Sequence, residues 1–291
     1  MRHRYLAGLV TFCFILTGWG CSRSRPGAVQ PTSNSPGAKP TSPAPKRGSL
    51  IYGPVSQGRY RLDSRDSIAM EMPDGSLQRT VTVKTTFLTV SLRPRGEDYS
   101  ADILIDSMML DRANAMLQPF VDSARGTRWE GIVRRTGRMD SVTASRPAAF
   151  AEQVRAMLQR LFPIVPDSGA EPGNDWRDQA TMPYQIMAGF EATENRISTF
   201  RAGKWEDLNG IRVLPIESSM TFTVTGNGSG FGQEIRFEGA GAADGVHRMT
   251  AAGILIQAQM TDSVRLTLSV PAVGQSVPTT VVTSYSLRAL P

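Results

Sequence analysis

From residue 49 to the C-terminus, apolar side chains recur at every second position in one segment after another, and that period leaves little choice of architecture. A period of two makes strands with one dry and one wet face. In the run over 80–92, Val81, Val83, Thr85 and Phe87 share a face before the phase changes to Leu88, Val90 and Leu92, which predicts a bulge inside that strand. Tyr99, Ala101, Ile103 and Ile105 alternate next, and the segments 129–135 and 138–144 flank Thr136-Gly137 as a hairpin. Met220, Phe222 and Val224 precede a glycine-rich turn over 226–232, after which Ile235 and Phe237 return. Ile254, Ile256, Ala258 and Met260, then Val264, Leu266, Leu268 and Val270, then Val281, Thr283, Tyr285 and Leu287 complete ten to twelve strands.

One segment changes period. Phe150, Val154, Met157, Leu158 and Leu161 fall on one face of a helix over 147–161, with Ser145 as its cap, Pro147 in its first turn and Pro163 as its stop. A second helical pattern over 112–124 carries Leu117, Phe120 and Val121, but Pro119 would disrupt its middle. So many strands cannot stay flat without leaving an apolar face open. The fold class expected is mainly β: a curved antiparallel sheet or half-barrel of ten to twelve strands, with one inserted helix packed on the concave face. Its dry lining then offers an apolar groove, with Phe150, Val154, Met157 and Leu161 from the helix and Met220 and Phe222 from the sheet as candidate ligand contacts.

The N-terminal residues belong to a different regime. Arg2 and Arg4 precede an apolar stretch from Leu6 to Trp19, which fits a secretory signal and is too short for a membrane span. The stretch Leu16-Thr17-Gly18-Trp19-Gly20-Cys21 resembles a bacterial lipobox, with Gly18 and Trp19 where that motif carries leucine and a small residue. The expected organisation is a signal peptide over 1–20, lipid attached at Cys21, a tether over 21–48 and one domain over 49–291. The tether holds Pro26, Pro31, Pro36, Pro40, Pro43 and Pro45 and no core-forming residues, so it reads as a semi-extended spacer reaching at most roughly 80 Å. Ser22 after the cysteine points to the outer membrane, facing the periplasm, rather than the inner membrane.

The chain carries a net charge of +6, which would ordinarily raise the question of nucleic acid. Seven cations and no acid fall within residues 1–48, however, leaving 25 cations against 26 acids in the domain. A domain with no positive field has little counterion release to drive phosphate binding, so no nucleic-acid partner is expected. Both cysteines, Cys13 and Cys21, precede the domain, which excludes a disulfide framework or a cysteine-ligated metal within it.

Catalytic signals are sparse. The domain holds one histidine, His247, which reads as an exposed turn residue, and Ser229 lacks the Gly-x-Ser-x-Gly spacing. The glycines at 226, 228, 230 and 232 and at 239 and 241 do not make a dinucleotide loop. The acid pairs Asp63 and Asp66, Asp175 and Asp178, and Glu191 and Glu194 read as exposed loop carboxylates. No enzymatic activity, cofactor or metal is therefore expected. The domain's twelve methionines suit either core filling or an adaptable apolar surface.

The order of these features resembles bacterial envelope lipoproteins with the lipoprotein-carrier fold: signal with Cys21, proline-rich tether, meander from Tyr60 to Val142, helix, then strands from Trp176 to Leu290. The step Gly173-Asn174-Asp175-Trp176 is similar to one that opens the second half of the sheet in a group of envelope lipoproteins of uncharacterised function. The resemblance implies an antiparallel half-barrel with an apolar groove under helices, binding an acyl chain or lipid. Two functions stay open: a membrane-anchored binding module for a lipid or other hydrophobic ligand, and a non-enzymatic structural or protein-interaction domain of the envelope, its protein partner unknown.

Overall fold

The computed structural model describes residues 49–291 apart from 73, 112–116, 140–141, 147–148, 185–189 and 231–232. Cys21, the expected signal peptide over 1–20, the expected tether over 21–48 and Pro147 lie outside the described residues, as does the side chain of Phe150. In chain order the strands are β1 (Val55–Glu71), β2 (Leu77–Arg95), β3 (Asp98–Leu110), β4 (Arg128–Val133), β5 (Thr143–Ala144), β6 (Asp175–Tyr184), β7 (Phe190–Ala202), β8 (Glu206–Leu208), β9 (Ile211–Gly230), β10 (Gln233–Thr250), β11 (Leu255–Val270) and β12 (Gln275–Leu290). Helix α1 (Gln118–Ala124) follows β3, and α2 (Ala149–Leu161) follows β5.

All the strands form one antiparallel sheet ordered β5-β4-β3-β2-β1-β12-β11-β10-β9-β7-β6, with β8 paired to β9 off this path. β5 and β6 are its two edges, so the sheet curves without closing into a barrel. The first and last strands meet in its middle, from Arg59 opposite Leu290 to Met70 opposite Thr279. Prolines sit where a strand lacks a neighbour: Pro183 is on the edge strand β6, and Pro278 immediately precedes the first β12 residue paired to β1. Gly173, at φ +84°, makes the left-handed step into β6 just before Trp176. The N-terminal segment of the domain closes one end of the half-barrel: Leu50 bridges Ala170, and Tyr52 donates its hydroxyl to the Pro163 carbonyl at 2.9 Å.

Several local expectations are corrected. β2 runs in one phase throughout, with Lys84, Thr86, Leu88 and Val90 buried on the inner face and Val81, Val83 and Phe87 turned outward. The bulge lies on the partner strand, where Asp106 is the extra residue as the register steps from Phe87–Ser107 to Leu88–Ile105. Pro119 does not interrupt a helix but stands in the first turn of α1, where it forfeits no intrahelical bond. The segment 226–230 is strand, not turn, since Gly226, Gly228 and Gly230 pair with Phe237, Ile235 and Gln233. Thr136-Gly137 does turn the chain, but β5 reaches β4 only at Thr143 and Ala144. Ser145 exchanges bonds with the Arg128 backbone, donating its own N–H at 2.7 Å and accepting the Arg128 N–H on its hydroxyl at 3.2 Å, while the start of α2 that it is expected to cap lies outside the described residues.

Candidate functional site

The antiparallel register sorts the inner face into rows of side chains, one from each strand. One row reads Thr82, Asp66, Thr283, Asp262, Ala243, Met220, Ser198 and Asp178 across β2, β1, β12, β11, β10, β9, β7 and β6. It is the centre of a polar belt, which Lys84, Ser64 and Ser218 widen on one side and Arg196 and Glu194 on the other. Helix α2 lies across the strands along this belt: Gln153 accepts from Lys84 of β2 at 3.2 Å, while the Leu161 carbonyl faces His247 of β10 at 2.8 Å.

Arg160 is the charged member of the helix's buried face. Its guanidinium pairs with both Glu194 of β7 and Asp262 of β11, all three side chains being buried. It stacks 4.7 Å above the Phe222 ring, a cation–π contact. Phe222 in turn lies against the backbone of β10, because a Cβ on Gly241 would come within 2.5 Å of the ring. Glycine, aromatic ring and guanidinium therefore form a stack that only a residue without a side chain permits at its base. Asp262 also accepts the Tyr285 hydroxyl at 2.7 Å. Burial pushes the Asp262 carboxyl above its ordinary value, opposed by Arg160 and Tyr285. Further along, Lys84 pairs with Asp66 at 2.6 Å, and Arg138 pairs with Asp178.

His247 is buried within β10, not exposed in a turn. Its Nδ1–H donates to the Leu161 carbonyl, one of the acceptors left unpaired at the end of a helix, so Nε2 accepts the Ser218 hydroxyl at 2.9 Å. Burial is the cause that lowers its pKa to about 4. The neutral ring thus fastens the end of α2 to the sheet. Trp176 adds a second fastening, donating Nε1–H to the Ile164 carbonyl at 2.7 Å while stacking on Phe200 at 5.5 Å.

Of the six candidate groove residues, Val154, Met157 and Leu161 of α2 and Met220 and Phe222 of β9 are buried together in one continuous core. Glu194 and Asp178 are not exposed loop acids but inward members of β7 and β6. The sequence did mark the charged residues now found at the centre. Asp262 stands between Met260 and Val264 on the apolar parity of β11, and Arg160 directly precedes Leu161 on the apolar stripe of the helix. A charge in dry phase must have a partner, and that was the usable signal.

Beyond the belt, apolar rows continue: Ile68, Val281, Val264 and Phe222, then Met70, Leu266 and Val224, then Val277, Leu268 and Phe237. From Asp262 to Val270 the inner face extends by about 26 Å at 3.3 Å per residue. The described helices pack on β3, on β11 and on each other. On the opposite, outer face an open trough of about 850 Å³ crosses β6, β7, β9, β10 and β11, between exposed side chains that include Arg201, Glu217 and Asp244. Among the described residues no cluster of three or more histidine, cysteine or acidic side chains could hold a metal.

No family model matches the chain, and no curated protein matches it in sequence. Among solved structures, the crystal structure of Pseudomonas aeruginosa OccK11 (OpdR) aligns over 84% of this chain and 99% of its own, at 8% identity and a TM-score of 0.22. Likeness at that level carries no argument about this chain.

Proposed function

We propose that the protein is an envelope lipoprotein, anchored through lipid on Cys21 and facing the periplasm from the outer membrane, whose domain binds a lipid or other hydrophobic molecule on the inner face of the half-barrel without catalysing a reaction. The observation that carries the reading is the length of that face. A helix of 13 residues is about 20 Å long and laid crosswise covers roughly 10 Å of each strand, whereas β11 alone runs about 53 Å. Apolar rows outrun the helix on a sheet whose edges, among the described residues, are β5 and β6; Val224, Val264, Leu266 and Val270 are buried at 0% to 6% exposure, so a long apolar guest would lie on them by displacing the contacts that cover them. Methionines at 70 and 220 add adaptable surface to the same face.

The second reading, a structural or protein-interaction domain, draws on the clamp around Arg160, since five of the six candidate groove residues are already occupied in packing α2. The full chain, purified in a mild detergent, separates the two. Native mass spectrometry and displacement of the apolar probe N-phenyl-1-naphthylamine should reveal a retained or exchangeable lipid. A preparation that carries no lipid and takes up no probe refutes the binding module and leaves the interaction domain. For the anchor, Cys21→Ser should move the protein from the detergent phase to the aqueous phase; unchanged partitioning would refute lipidation.

A further inference from the structure

Beside the clamp lies a second charged residue whose bonds are not made. Arg196 of β7 faces inward, between Ala180 of β6 and Phe222 of β9, and is 4% exposed. Its Nε and Nη1 have no hydrogen-bond partner. Glu194, two residues earlier on the same face, gives one oxygen to Arg160, while its Oε1 is unpartnered. Nη1 and Oε1 stand 3.9 Å apart, too far for a direct hydrogen bond. On the other side Asp178, one row before Arg196, gives Oδ1 to Arg138 and leaves Oδ2 unpartnered. Unmade bonds on buried charged groups are rare in native folds, and here four converge: two donors on one guanidinium, with one acceptor on either side of it.

Resting on the lipid-binding reading, we infer that this gap holds the head of the ligand and that the head is a neutral, hydroxylated group carrying two neighbouring hydroxyls, as in a glycerol or sugar head. The hydrogen-bond inventory is specific. Each hydroxyl accepts one bond and donates one, so two of them satisfy two donors and two acceptors. The first accepts from Nη1 and donates to Glu194; an oxygen about 2.8 Å from each fits a 3.9 Å separation. The second accepts from Nε and donates to Asp178. Charge argues the same way. Arg138, Arg160 and Arg196 stand against Asp178, Glu194 and Asp262, so the cluster is already neutral and an anionic head would bring in an uncompensated charge. Burial lowers the Arg196 pKa, which fits a guanidinium short of partners. Phe222 and Val224, next to Arg196 and Glu194 on β9, begin the apolar rows on which a tail would lie.

The test compares three probes with one tail: monoolein, oleate and methyl oleate, each competing with N-phenyl-1-naphthylamine for the full chain in lauryldimethylamine oxide, whose head has no hydroxyl. Monoolein should bind at least about tenfold more tightly than either of the others, as a site built around hydroxyl partners requires. Arg196→Met should abolish that preference, lowering monoolein binding to the level of methyl oleate. If Arg196→Met does not fold, Arg196→Lys, which keeps the charge and loses the fork, should abolish the preference equally. Equal binding of all three probes, or a preference that survives the variants, would mean that only water fills the gap, and tightest binding by oleate would mean an anion site; each overturns the inference while the lipid-binding reading stands. Binding of none of the three would overturn that reading as well.

Discussion

Replacing Arg160 by alanine tests the belt under α2 most directly. The guanidinium, 5% exposed, faces Glu194 at 1% and Asp262 at 5%, so the substitution leaves two buried carboxylates without their shared cation. Breaking a buried pair by deleting one partner costs about 3–5 kcal/mol. That cost is not doubled, because Asp262 keeps the Tyr285 hydroxyl at 2.7 Å and Glu194 keeps Arg196 at 3.9 Å. Loss of the contact over Phe222 puts the expected total near the upper end, about 5 kcal/mol. With a urea slope of about 3 kcal/mol/M, the midpoint should fall by about 1.7 M. Tryptophan emission of the full chain reads this, since Trp129 is buried and Trp176 and Trp205 pack against the core. The pH dependence adds a second check. A carboxyl whose folded pKa is raised, as for Asp262, contributes stability that is full below its unfolded value of 3.8 and is lost as pH rises through the folded value. Removing Arg160 removes an interaction that held this pKa down, so the variant's deficit relative to wild type should shrink as pH falls from 7 towards 4. A loss below about 1 kcal/mol at pH 7, unchanged by acid, is the behaviour of a solvated surface pair and would refute the argument.

Three further substitutions probe the elements that fix α2 and the sheet. His247, lowered to about 4 from 6.5 by burial, is neutral when folded and charged when unfolded between those values, so stability present above 6.5 should fall by about 3 kcal/mol as pH drops to 4. His247→Gln should flatten that window in pH-resolved urea melts, and an unchanged slope would refute the assignment. Gly241→Ala forces a Cβ to within 2.5 Å of the Phe222 ring and 2.6 Å of the Ser263 carbonyl, and should cost about 1–3 kcal/mol in a thermal melt; an unshifted melt would show that the ring does not lie there. Trp176→Phe keeps an aromatic ring against Phe200 but loses the bond to the Ile164 carbonyl, for about 1 kcal/mol by urea unfolding, and no change would mean that carbonyl is bonded elsewhere.

The period-two pattern made the sheet legible because a strand with one buried face writes its orientation into alternate residues. Val264, Leu266 and Val270 could hardly face anywhere but inward, and the stripe Val154, Met157, Leu161 identified α2 in the same way. Turns were less legible. Gly226, Gly228 and Gly230 look like a loop, yet their spacing is also that of a strand, and cross-strand pairing with β10 decided the matter. Which strands pair was not legible at all, since β1 meets β12 across more than 200 residues and no local pattern announces that. The belt was half legible. Asp262 and Arg160 stood visibly out of place in apolar phase, but that Glu194 and Arg196 join them depends on β7 lying beside β9, a property of sheet order alone.

That dependence explains what the belt does for the fold. An apolar stripe such as Val154, Met157 and Leu161 could be buried about equally well at several heights along strands of 16 to 20 residues, because hydrophobic burial is non-directional. Arg160 has no such freedom. One turn higher or lower it would move off Asp262, towards Val264 and Leu266 or towards Ala258 and Leu287, and could no longer pair with Asp262 and Glu194 together. Only where the rows of Asp262 and Glu194 lie within a guanidinium's span can the helix settle, and there His247 meets the Leu161 carbonyl at the same time. The ion pairs therefore set the position of α2, while the apolar stripe supplies most of its adhesion. With the helix held crosswise at that height, the apolar rows from Val264 to Val270 remain on one side of it, and the unmade bonds of Arg196, Glu194 and Asp178 lie at their border.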